Sequence, residues 1–501
     1  MSFLSLNFFL FFPIAVLGYY LFPYRFRKFW LAAACFFFYA FAGIRFVPLL
    51  LGYILFTYLA GIALERRGSG RPAGKCGASA EALPERAGAG GTAPGDRRAE
   101  RTLAAFCLFL LFGVLSLFKY SQVPAFSVMP AGISFFTFEA AGYLIDIYRG
   151  KYRAERNFLN LALFLSFFPQ LLSGPIARGE SLLPQIARPR RFHLHFLRSG
   201  MYLLLWGAFL KLVIADRAAL FVDAIYESYE AHGGAELFLA AALYALQLYC
   251  DFYGYSSMAL GAAEILGFRL RDNFDAPYLA ADISDFWRRW HISLTSWFRD
   301  YVYIPLGGNR KGVARKYVNI LIVFILSGMW HGNTVNFAIW GGLNGLYMVI
   351  SGVTRGLRGK VRSALGIDAS SFSARFLSSC IVFAEFMFSC IFFRAESLHQ
   401  ALGILKRIFT SVSLRGLGSS ILFRAGGGMP GRGDLLILLA ALLVLFAADC
   451  LKYRGVTVRN LLMRQDLWFR DLAAVGAFLL ILFLGVWGES FRADSFVYVH
   501  F

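Results

Sequence analysis

Apolar runs separated by short basic turns set the layout of this chain. The run 3–22 is followed by Arg25, Arg27 and Lys28, and runs at 29–43 and 47–64 come next. Runs at 102–119 and 132–148 lead into Arg149, Lys151, Arg153 and Arg156. Others occupy 201–215, 237–249, 317–330, 336–350, 376–393, 435–448 and 472–486. Stretches this apolar predict membrane-spanning helices, and Lys and Arg concentrated in the turns predict which turns face the cytoplasm. The expectation is an all-α polytopic membrane protein with about eleven transmembrane helices and an external N-terminus. The first run lacks a basic leader and a small-residue cleavage site, so it reads as a retained span rather than a signal peptide.

Three stretches break the pattern. The run from 158 contains Pro169, Gly174 and Pro175 and has basic residues on both sides, which conflicts with a single crossing. It predicts a re-entrant or broken helix at 168–175, and because opened backbone at membrane depth must face protein or a watery cavity, it marks an expected substrate funnel. Residues 65–101 turn abruptly to Gly, Ala, Arg and Pro without periodicity, the composition of a flexible cytoplasmic loop. The segment 394–432 should be external by alternation yet is basic, and an interfacial helix is sought there. The expected division is N-terminal helices at 1–64, the loop at 65–101, a core at 102–393, and a C-terminal loop with further helices at 394–501.

The densest chemistry lies between Phe286 and His331. At 100° per residue, Phe286, Trp287, Trp290, Leu294, Trp297, Phe298 and Tyr301 share one face of a single helix, and Arg288, Arg289, Thr295, Ser296, Arg299 and Asp300 share the other. That pattern predicts an amphipathic helix at the membrane interface, arginines toward headgroups and indoles at the boundary, with His291 at the edge of the apolar face. His331 ends the apolar run that starts after Arg310, Lys311, Arg315 and Lys316, roughly 20 Å along a helix from that basic end. An ionisable group at membrane depth is a candidate functional residue. Gly328 and Gly332 flank it and permit a backbone or a substrate to come close.

Composition narrows the class. The sequence is 58% hydrophobic with 54 Phe, and its 50 Lys and Arg against 30 Asp and Glu give a net charge of +20. In a soluble protein that charge would suggest nucleic acid. Here the cations sit in turns between apolar runs, so positive-inside topology and anionic membrane lipids account for them and no nucleic-acid partner is expected. The seven cysteines form no CxxC pair, so neither a disulfide framework nor a metal site is expected. Glu139 is deep enough in its run to require protein or a watery cavity around it. Asp251 and Glu264 have small residues beside them and either line a polar site or pair with arginines.

Two histidines without a GxSxG elbow exclude a serine-nucleophile triad. They leave proton abstraction open: a buried neutral imidazole can take the proton of a hydroxyl as that oxygen attacks an acyl carbon supplied by an activated donor such as a thioester.

Several blocks resemble the membrane-bound O-acyltransferase (MBOAT) family, specifically its bacterial branch for alginate O-acetylation. They are PAGISFFTFEAAGYLIDIYRG from Pro130, FPQLLSGPIAR from Phe168, YCDFYGYSSMALG from Tyr249, DFWRRWHISLTSWFRDYVYIPLGGNR from Asp285, SGMWHG from Ser327, FFRAESLHQAL from Phe392 and the terminal SFVYVHF. The resemblance implies a funnel-shaped helical membrane transferase, with His331 of MWHG as catalytic base and His291 of WHISL in the same core. It further implies that Trp287, Arg288, Trp290, Arg299, Asp251, Trp330 and Asn333 bind substrate or donor. No tightly bound cofactor or metal is implied; acetyl-CoA or another acyl thioester is the implied donor, and an exported SGNH-type acetyltransferase the implied partner. The chain departs from the branch at Tyr253 and Ser257, where DFSGYSD is the common form, and at Glu139, where glutamine is expected. The rival readings are D-alanyl transfer to teichoic acid and a transporter or flippase; for the latter no internal repeat is found.

Overall fold

The computed structural model describes residues 1–68, 94–121, 123, 126, 128–411 and 431–487. Helices dominate and no β-strand occurs among the described residues. Seven helical segments among them are long and apolar enough to cross a bilayer, or eight if the pair Val335–Val353 and Arg355–Ala364, bent by 53°, forms one span. The sequence expects about eleven, and the difference has identifiable sources. Tyr24–Arg67 counts as one segment although Gly43 and the 3₁₀ turn Ile44–Phe46 divide it, and Ile133–Tyr148, at 16 residues, spans about 24 Å, short of the ~30 Å hydrocarbon core.

The chain divides into two compact units. The first comprises Met1–Met201 and Ala259–Arg271. Pro23 stands between the helices Leu6–Leu21 and Tyr24–Gly43 and forces the basic turn expected there. The helix Pro94–Tyr120 starts inside the expected loop, so residues 94–101 are helical; proline suits a first helical position, where its missing N–H would have no partner. Most of that loop, 69–93, lies outside the described residues. The broken helix appears where the prolines predict it. Phe158–Ser166 is capped by the Asn157 side chain, stops at Phe167, resumes for one turn at Phe168–Leu171 and then opens. Protein groups meet part of its opened backbone: the Ala177 N–H donates to Glu139 Oε1 at 3.0 Å, and Gln170 Nε2 donates to the Phe164 carbonyl at 3.1 Å. Glu139 thus faces protein, at 3% exposure.

The second unit comprises Tyr202–Met258 and the chain from Asp272 onward. The expected runs at 317–330 and 336–350 form a helical hairpin, Val313–His331 and Val335–Val353, with His331 at its turn. Its two arms cross at glycine: a Cβ on Gly328 would collide with the Phe337 carbonyl, and one on Gly341 with the Phe324 carbonyl. The close approach that Gly328 and Gly332 permit is therefore made by the protein itself, with the Phe337 ring lying against Gly332. Gly328→Val is expected to cost about 3 kcal/mol through overpacking of this crossing, read as a lower melting temperature of the detergent-solubilised protein. Gly342→Ala, where the nearest heavy atom to the new Cβ is 4.0 Å away, is the matched control; equal melting of the two variants would refute the crossing as a constraint.

Two expected loops contain helices. Arg355–Ala364 is helical and exposed, and Leu398–Thr410 is the amphipathic helix sought in 394–432, burying Ala401, Ile404 and Ile408. Residues 412–430 of that segment lie outside the described residues. The largest departure concerns 286–301. Instead of one interfacial helix, the chain forms Ile283–Arg289, breaks at Trp290 and His291, continues as Ile292–Phe298 and ends in a π-helical turn, Arg299–Tyr303. Phe286, Trp287, Trp290 and Trp297 are buried at 0–7% exposure, so these rings pack in protein and do not sit at the lipid boundary.

Candidate active site

The break between the two short helices positions His291. Trp290 is extended, and His291 adopts φ +43°, ψ +54°, a left-handed conformation that costs a side-chain-bearing residue about 1–2 kcal/mol. Tertiary contacts hold it there. The Ile292 N–H donates to the Asn273 carbonyl at 2.9 Å, and the Asp275 N–H donates to the Arg289 carbonyl at 3.0 Å. Arg289 is in turn bound by Asp285 and Asp275, each at 3.0 Å. Trp290, swung inward by the break, packs against Phe286, Phe274, Tyr249 and Phe386.

The Asn273 side chain fixes the imidazole. Its Oδ1 lies 3.1 Å from the Ser293 amide nitrogen, 2.9 Å from Ser293 Oγ and 3.2 Å from His291 Nδ1. A backbone N–H can only donate, so this Asn273 atom is the acceptor oxygen, and His291 Nδ1 must carry the hydrogen that points at it. Nε2 then holds the lone pair. Burial, at 1% exposure, pushes this imidazole down to about 3, because the cation would be stranded away from water. His291 is therefore a neutral, oriented hydrogen-bond acceptor near neutral pH.

His331 closes the helix Val313–His331 at 2% exposure. Its ring sits against Trp330, Trp340 and Phe393 at centroid distances of 4.6, 5.0 and 5.3 Å. Trp330 also lies 6.3 Å from the His291 ring and so stands between the two histidines. Ring edges carry partial positive charge and ring faces partial negative charge, so this enclosure orients the imidazole while keeping solvent away.

Both histidines line one cavity of about 290 Å³. Its walls are mainly apolar, from Trp287, Leu294, Phe298, Ile320 and Phe324, with Ser327 close in sequence to His331. Arg288, Arg299 and Lys316 line it too; Arg288 pairs with Asp285 at 3.2 Å and Arg299 with Asp300 at 2.9 Å, and no carboxylate among the described residues lines the cavity itself. The Trp287 indole N–H is buried without a protein acceptor among the described residues. Apolar walls with a few polar groups and cations suit an amphiphilic, negatively charged substrate.

Of the residues expected to bind substrate or donor, the structure gathers Trp287, Arg288, Trp290 and Arg299 around this cavity. Trp330 does not line the cavity but touches both histidine rings. Asn333 is exposed in the turn after Gly332. Asp251 belongs elsewhere: Lys211 bridges it at 2.6 Å and Asp216 at 2.8 Å, all three side chains being nearly buried. Asp251 is paired with a cation, as one of its two readings expected, but that cation is Lys211 and not an arginine, because a carboxylate at that depth needs whichever counter-charge the fold brings to it. Sequence reasoning missed Asn273, Lys316, Trp340 and Phe393, which reach the site from four separate places in the chain. Only Asn273 carried a faint signal, as a polar residue in the short loop ahead of the WHISL block.

Comparisons with known proteins identify the family. The chain matches the profile of MBOAT, the membrane-bound O-acyltransferase family, over residues 117–391, which includes both histidines. It is 33% identical over 417 residues to "Probable alginate O-acetylase AlgI" of Pseudomonas syringae, covering 78% of this chain and 72% of that protein. It is 30% identical to "Peptidoglycan O-acetyltransferase" of Helicobacter pylori, covering 79% and 77%. The "Teichoic acid D-alanyltransferase" of Bacillus subtilis is 29% identical over a shorter stretch, 42% of this chain and 55% of that one.

Proposed function

This chain belongs to the membrane-bound O-acyltransferase family and is an acyltransferase with many membrane helices, and from that premise we propose that it moves an acetyl group from a cytoplasmic thioester to an exported polysaccharide. The observation that carries this reading is the shared cavity: His291 and His331, 40 positions apart in sequence, converge on one apolar chamber with a cationic lining.

In the proposed reaction the donor is an acetyl thioester such as acetyl-CoA, whose anionic portion Arg288, Arg299 and Lys316 attract. His331 takes the proton of an acceptor hydroxyl as its oxygen bonds to the acyl carbon. The carbon–sulfur bond then breaks, the thiolate leaves and collects the proton from His331, and an ester remains. His291 is too weak a base to hold the proton. Its fixed Nε2 instead accepts a hydrogen bond and orients the hydroxyl. The Trp287 N–H is suited to the negative charge that develops on the acyl oxygen. The acceptor of this step is an exported SGNH-type acetyltransferase that passes acetate to the polymer. The protein sits in the bacterial cytoplasmic membrane with its N-terminus outside, the orientation supported by Arg25, Arg27 and Lys28 after the first helix.

D-alanyl transfer receives less support, since the D-alanyltransferase relative covers 42% of this chain against 78% for the alginate relative. The test uses a deletion strain complemented with the full chain, with ester-linked acetate and ester-linked D-alanine on the surface polymers measured side by side. Restored acetate supports the reading; restored D-alanine with no acetate overturns it.

A further inference from the structure

The first unit holds a second cavity, of about 250 Å³, that acyl transfer leaves unused. Its floor is apolar, built from buried Leu31, Leu163 and Phe268, and Arg25, Arg27, Lys28 and Arg188 also line it. No carboxylate among the described residues is in ion-pair contact with these cations, and Glu155 acts on Lys28 only at longer range. The Arg27 guanidinium donates to the carbonyls of Phe22, Tyr20 and Arg190 at 2.9, 2.8 and 2.6 Å. Lys28 Nζ donates to Asn160 Oδ1 at 2.9 Å and to the Ala187 carbonyl at 3.2 Å. All five acceptors are neutral. Among the described residues, neither these two groups nor Arg25 and Arg188 make an ion pair with a carboxylate.

Four like charges around one small cavity repel one another, and an anion placed among them relieves that repulsion. The surroundings decide which anion. Arg25, Arg27 and Lys28 follow the turn between two apolar helices, Leu6–Leu21 and Tyr24–Gly43. Phe22, Tyr24, Phe26 and Phe29 there are 41–62% exposed, the aromatic dressing of a helix end at headgroup depth. A free phosphate ion has no use for a floor of leucine and phenylalanine, whereas a phosphate ester carrying acyl chains matches both floor and charge.

We propose that this cavity binds the phosphate headgroup of an anionic phospholipid, with Arg25 and Arg188 as its exposed charged contacts and Arg27 and Lys28 as its fixed ones. The site is separate from the histidine cavity, and its test does not depend on acyl transfer.

The experiment uses the full chain purified in a neutral detergent and titrated with phosphatidylglycerol or phosphatidylcholine, bound lipid being counted by native mass spectrometry. The wild type is expected to prefer phosphatidylglycerol. The pair Arg25→Gln with Arg188→Gln is expected to weaken that binding at least about tenfold, while Arg355→Gln with Lys360→Gln, two cations removed from the exposed helix Arg355–Ala364, leaves it unchanged. Both substituted positions in the cavity are exposed, so folding should persist, and monodispersity and melting temperature are checked alongside; Arg188→Gln alone serves if the pair is unstable. Restoration by Arg25→Lys with Arg188→Lys supports a charge-based site. Equal weakening in the cavity pair and the control pair would overturn the proposal in favour of diffuse surface attraction. Inorganic phosphate that displaces the lipid as effectively as phosphatidylglycerol would overturn it in favour of a soluble phosphate site.

Discussion

His331→Ala is expected to abolish acyl transfer while the protein remains in the membrane at normal abundance. The expected loss is at least about 10²–10⁴-fold, the contribution of a positioned general base, and His331→Gln, which keeps a polar group of similar reach but cannot shuttle a proton, fails equally. The readout is ester-linked acetate on the surface polymer, with membrane abundance measured by immunoblot. Packing predicts that the alanine variant stays folded: the ring is enclosed by Trp330, Trp340 and Phe393, of which Trp340 and Phe393 hold each other at 5.2 Å without it. Acetate restored equally by wild type and both variants would remove His331 from the chemistry.

Asn273→Ala is expected to lower turnover by roughly 10²-fold through the loss of a fixed imidazole tautomer, the effect known when an orienting partner of a histidine is altered. The argument rests on one oxygen. Asn273 Oδ1 accepts from the Ser293 amide and hydroxyl and from His291 Nδ1, and without it either ring nitrogen can carry the hydrogen. The loss should appear in kcat with little change in KM, since Asn273 is not among the residues lining the cavity. Because Asn273 acts through His291, Asn273→Ala combined with His291→Ala should be no worse than His291→Ala alone. Fully additive losses would show instead that Asn273 acts independently of the imidazole. Destabilisation is separable from this effect: an unsatisfied Ser293 N–H costs about 1–3 kcal/mol and would register in melting temperature for the single and the double variant alike.

Much of the helix layout was legible because lipid imposes a one-dimensional rule. Apolar runs of bilayer length and basic turns located the hairpin around His331, the helices Phe372–Arg394 and Arg432–Tyr453, and the division at Pro23. Pro169, Gly174 and Pro175 located the broken helix, since proline removes a donor and crowds the preceding turn. The helical-wheel reading of 286–301 failed for a physical reason. Its apolar stripe was real, but helical phase assumes an unbroken helix, and the cost of the left-handed His291 is outweighed by bonds to Asn273 and by burial of Trp290, neither visible from local sequence. The partner of Asp251 was not legible, because an isolated acid in an apolar run looks the same whether it meets a substrate or Lys211.

The sequence by itself determined the class of molecule, the approximate place of most helices, the family and the two histidines, because these depend on composition, run length and local motif. Only the tertiary structure decided that the two histidines share a cavity, that Asn273 sets the proton on one of them, that the tryptophans face protein and that the cations near Arg27 surround a second chamber. Those outcomes depend on which distant side chains meet in space, and hydrophobic periodicity specifies which face of a helix is buried without specifying its neighbour.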